Sequence, residues 1–134
     1  MGRPRYHRSA EEHAEMQRRA DRRFERAREP LGAGNMNNTK WRAVLELIRG
    51  RWVTIKFVGE HQPRRVVGLS RINDCWCDCS AGPFLYRELE WLEITGNDAD
   101  VLLAELKGLG RLPLIAQSNG FRLQAYGMVA DAVE

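Results

Sequence analysis

The chain has no run of about 18 apolar residues, so no segment reads as a membrane-spanning helix. The start, Met-Gly-Arg-Pro-Arg-Tyr-His-Arg, leads into charge rather than an apolar core, so a secretory leader is not expected and the cytoplasm is. Cysteine is scarce: the three, Cys75, Cys77 and Cys79, lie within five residues, unlike a secreted disulfide framework that staples distant segments. No G-x-S-x-G surrounds Ser70, Ser80 or Ser118, which removes the usual setting for a nucleophilic serine. No phosphate-binding glycine loop occurs, since Gly108-Leu109-Gly110 follows a helical pattern instead of a strand. Of three histidines, His7 and His13 sit in the N-terminal segment and only His61 lies beyond it.

What is present is enough for one domain with a core: 134 residues, 43% hydrophobic and 29% charged. The net charge of +3 is unevenly placed. Residues 1–35 hold nine Arg and six acids; the other ninety-nine hold twelve bases and twelve acids. All the basic excess is in the N-terminal arm, and the rest has no bulk preference for polyanions.

Residues 9–29 read as a helix. Ser9 and Glu12 fit a capping box, Glu15 precedes Arg19 by four, and Pro30 stops the run. Met16, Ala20 and Phe24 form one narrow apolar stripe, so this helix either docks through Met16 and Phe24 or projects into solvent. Residues 31–35 read as a flexible linker. Trp41, Val44, Leu45 and Ile48 then follow the i, i+3, i+4, i+7 rule, giving an amphipathic helix over 39–49 capped by Asn38 or Thr39.

The period next changes to two. Strands are expected over 51–58, 65–71, 74–79 and 88–94. Asn97 is placed to cap a helix over 98–107, and two final strands, 113–117 and 121–129, flank Ser118-Asn119-Gly120. The fold expected is α+β: an antiparallel sheet of five to six strands packed by two helices on one face, preceded by a charged helical arm.

The cysteines alternate with Trp76 and Asp78. Residues two apart on a strand are roughly 6.6 Å apart, whereas sulfurs sharing a zinc ion must approach within about 4 Å. A plain strand with its thiols on one face is the reading preferred here. A metal or redox site on Cys75, Cys77 and Cys79, with His61 as a fourth ligand, requires this run to coil into a loop. Glu88 and Glu90 are expected on one face with Glu93 on the other, as surface acids rather than an acid–base pair. The arm arginines Arg18, Arg19, Arg22, Arg23 and Arg26 can meet the phosphates of a nucleic acid, which makes a nucleic-acid-associated protein the alternative reading, but the interleaved acids favour a salt-bridged, solvated helix. Trp52 opposes Val53, Ile55 and Phe57 and so faces outward. If Trp52, Trp76 and Tyr126 share the outer sheet face, with Glu90 and Arg122 at its rim, they form a patch suited to another protein. The alternative is that the arm helix covers them.

Three motifs, Asn38-Thr39-Lys40-Trp41, Glu90-Trp91-Leu92-Glu93-Ile94 and a last strand ending in Tyr126-Gly127, resemble a family of small bacterial domains over about residues 36–129. The resemblance implies no activity and no cofactor. Toxin-neutralising immunity proteins share this size and organisation, an analogy that points to a non-catalytic, protein-binding role. The cysteine triplet is not part of the pattern, and residues 1–35 lie outside it. They are expected to be an added arm, or to lie upstream of a natural start at Met36, with 36–134 folding alone.

Overall fold

The computed structural model describes residues 9–127. The architecture is α+β, with three α-helices, a five-stranded antiparallel sheet and a small three-stranded sheet. In chain order the elements are α1 (Ala10–Arg28), α2 (Asn38–Ile48), β1 (Trp52–Phe57), β2 (Arg64–Val67), β3 (Ser70–Arg71), β4 (Trp76–Asp78), β5 (Phe84–Leu85), β6 (Leu89–Thr95), α3 (Ala99–Lys107), β7 (Leu114–Gln117) and β8 (Gly120–Gln124). The large sheet runs β2-β1-β6-β8-β7 and the small one β3-β4-β5.

One hydrophobic cluster joins the helices to the sheets. From α2 it takes Trp41, Val44, Leu45 and Ile48, the predicted stripe, and from α3 Ala99, Leu102 and Leu106. Against them lie Val53 and Ile55 of β1, Leu92 and Ile94 of β6, Phe121 and Leu123 of β8, and Leu114 of β7. Asn37 caps α2, accepting the Lys40 N–H at 2.8 Å, one residue earlier than the sequence pattern implies. At α3 the N-cap is Asp98 rather than Asn97, and its side chain makes no cap; both its oxygens accept from Arg51, at 2.5 and 2.7 Å.

Two expected strands are altered, each for a local reason. The run 65–71 divides because Gly68 adopts φ 76°, which turns the chain out of the large sheet; Ser70 and Arg71 then open the small one. The run 74–79 shortens to three residues because Asn73 Oδ1 accepts the N–H groups of both Cys75 and Trp76, forming a turn where extended backbone was expected. The cysteine strand therefore lies outside the main sheet.

The segment read as a flexible linker is instead pinned. Gly34 bridges Tyr126, the Asn35 N–H donates to Ala125 O at 2.7 Å, and the Gly127 N–H donates to Ala33 O at 3.0 Å. The Asn35 carboxamide donates to the carbonyls of Gln124 and Gly127, at 3.1 and 2.8 Å. The last strand ends at Gln124; the part of its expected range beyond Gly127, like His7, lies outside the described residues.

Candidate interaction surface

The register of the large sheet fixes which side chains share its outer face. Thr54 stands opposite Glu93 and Arg65, Glu93 opposite Arg122, and Arg122 opposite Ile115. Directly opposed residues project to the same side. Trp52 and Lys56, two residues either side of Thr54, therefore share this face, with Trp52 across from Val67 and Lys56 across from Trp91.

A bulge in β6 corrects the expected placing of the acids. Lys56 opposes Trp91 but Phe57 opposes Leu89, so Glu90 is an extra residue on β6. Glu90 and Trp91 consequently both face outward, while Leu89 and Leu92, three apart, are both buried. Glu93 falls on the same face as Glu90. Each acid meets a cation: Lys56 Nζ lies 2.6 Å from Glu90, and Arg122 lies 2.5 Å from Glu93. The Arg122 guanidinium also lies 4.1 Å from the Trp91 ring centroid, a cation–π contact over a tryptophan that is only 7% exposed. Glu88 is elsewhere, in a 3-10 turn over Tyr86–Glu88, its carboxylate accepting the Leu85 N–H at 2.6 Å.

Trp52 is 55% exposed at one end of this face. Trp76 does not join it. It projects from the small sheet at 40% exposure, beside Ile72 at 55%; the Ile72 N–H donates to Trp76 O across the hairpin. Tyr126 is no part of an outer patch either. It is 9% exposed, follows the end of β8, and its hydroxyl donates to Arg87 O at 2.8 Å. Neither exposed tryptophan is covered by the arm helix.

The cysteines alternate as a strand requires: Cys77 is buried, Cys75 and Cys79 are half-buried, and Trp76 and Asp78 point out. Burial pushes the Cys77 thiol far above its ordinary range, with the neighbouring Cys79, Glu88 and Asp78 adding to the shift. Burial likewise raises Cys79, although its sulfur accepts the Ala81 N–H. Both effects favour the thiol over the nucleophilic thiolate. Among the described residues no three His, Cys, Asp or Glu side chains converge as an ion site would need. His61 is exposed in a bend after β1.

In α1, Arg18, Arg19 and Arg22 share one carboxylate, Glu15, at 2.8, 3.3 and 3.6 Å. The Arg18 and Arg19 guanidinium groups hold that carboxyl below its usual range, hydrogen bonding by Arg18 being the largest effect. Arg23 and Arg26 have no ion pair among the described residues. Sequence reasoning missed Arg87, which joins arm to body: it lies 2.7 Å from Asp21 and 4.6 Å from the Phe24 ring centroid. A lone arginine between Tyr86 and Glu88 carries no sequence signal of that role. Comparison with protein-family models, with curated proteins and with solved structures returns no match for this chain.

Proposed function

We propose that this chain is a non-catalytic interaction domain that binds another protein through the outer face of its five-stranded sheet, in the manner of an immunity-like protein that occupies a bacterial toxin. The observation that carries the reading is the exposure of Trp52, 55%, on a sheet face that also carries two ion pairs. Large aromatic side chains exposed beside charged groups are frequent anchors of protein recognition. Further along the face, the largely buried pairs Lys56–Glu90 and Arg122–Glu93 hold charges of both signs in fixed positions, which would set orientation and exclude mismatched partners. Because each acid is tied to a cation, Glu90 and Glu93 are poor candidates for proton transfer and better suited to recognition. The second apolar pair, Ile72 and Trp76, offers a separate contact on the small sheet.

The test is affinity capture from a bacterial lysate with the intact chain, with Trp52→Ser and with Arg122→Ala. A protein retained by the intact chain and lost with Trp52→Ser, at unchanged circular dichroism, supports the reading. Retention by Trp52→Ser equal to that of the intact chain, or no retained protein at all, removes it.

A further inference from the structure

The helix α1 is docked over only part of its length. Its C-terminal half meets the body through Asp21 and Phe24, both on Arg87, and through Ala27, beside Gly59. Outward of that contact the same stripe continues through half-buried Ala20, at the mouth of the cleft toward Val58 and Gly59, to Met16, which is 48% exposed. Charge is segregated along the same axis. Residues 10–17 carry Glu11, Glu12 and Glu15 and no arginine; residues 18–28 carry six arginines against Asp21 and Glu25.

We propose that α1 is a self-complementary docking helix, pairing antiparallel with α1 of a second copy of this chain about a two-fold axis near Gln17 and Arg18. Three features of the helix fit that occupant. At 100° per residue, Glu12 and Arg23 fall on one flank of Met16, within about 40° of it. Residues on the same flank meet across an antiparallel helix pair, so Glu12 of each copy faces Arg23 of the other. Neither has an ion-pair partner among the described residues, so the contact breaks nothing already formed. Met16 and Ala20 of the two copies then interleave along the seam. The two-fold symmetry makes every contact twice and closes the assembly at two copies.

Sedimentation equilibrium of the full chain, at low and high ionic strength, tests this. The expected result is a concentration-dependent monomer–dimer equilibrium that weakens with salt and is abolished by Met16→Glu. Glu12→Arg alone and Arg23→Glu alone should each weaken association roughly three- to thirtyfold, since each removes two surface pairs. The double exchange Glu12→Arg with Arg23→Glu should restore it. Since α1 buries no side chain, these variants keep the folded body, which circular dichroism verifies. A chain that stays monomeric at every concentration overturns the proposal. So does a dimer indifferent to Met16→Glu, or a double exchange no tighter than the single ones.

Discussion

Helices α1 and α2 are both amphipathic, yet they are held by different forces. The shorter, α2, has 11 residues and buries four of them, Val44, Leu45 and Ile48 completely. The longer, α1, has 19 residues and buries none. Its order rests on the Ser9 cap, the cluster of arginines around Glu15 and the junction at Arg87. Burial of a Leu or Ile side chain stabilises by about 1.5–3 kcal/mol, whereas an exposed ion pair contributes about 0.2–1 kcal/mol. Four buried side chains outweigh any plausible sum of the surface pairs, so the shorter helix is the structural one and the longer is an attachment.

That contrast can be broken in graded steps. The largest effect is expected in α2. Leu45→Ala should cost about 2–5 kcal/mol in urea unfolding, enough to unfold a marginal domain, while Phe24→Ala in α1, whose ring is only half-buried, should cost less than half as much. Equal costs would mean that α1 belongs to the core. The next effect is at the join. Asn35→Ala leaves two carbonyls, of Gln124 and Gly127, without their donor and should cost about 1–3 kcal/mol. Amide exchange should then rise in α1 while α2 stays protected; a uniform rise would show that arm and body unfold together.

The smallest effect is that of pH on the arm. Hydrogen bonding from Arg87 and then Gln17 holds the Asp21 carboxyl below its ordinary 3.8. A depressed folded-state pKa stabilises fully above the unfolded value and is lost as pH falls through the depressed one. Acidification below pH 3.8 should therefore loosen α1 from Arg87, read as shifts of the Phe24 and Arg87 resonances. Asp21→Asn should remove that pH response; an unchanged response would place its origin in another carboxylate.

The stripe of α2, the cap at Ser9 and the alternation of Val53, Ile55 and Phe57 were all legible, because each depends on residues close in sequence. So was the alternation of the cysteines, with Cys77 inward and Trp76 outward. The candidate surface was legible only in part. Trp52 faces outward as its neighbours require, and Arg122 does also, but the position of Glu93 was misread. A bulge arises from pairing between β1 and β6, more than thirty residues apart, and it reverses the sense of every residue beyond it on the strand. Tyr126 was misplaced for a related reason: the two-residue rhythm of β8 does not reveal that Gly34 and Asn35 capture the chain beyond Gln124.

The sequence by itself determined which residues are helical, which alternate and where the excess of arginine lies, since these follow from side-chain chemistry at short range. Only the tertiary structure decided that the strands form two sheets, that the linker is tied to the last strand, and that Trp52 and Trp76 stand on separate surfaces. The physical reason is that backbone hydrogen bonds are the same for every residue type. Which strand accepts which is settled by the burial and steric demands of the whole chain at once.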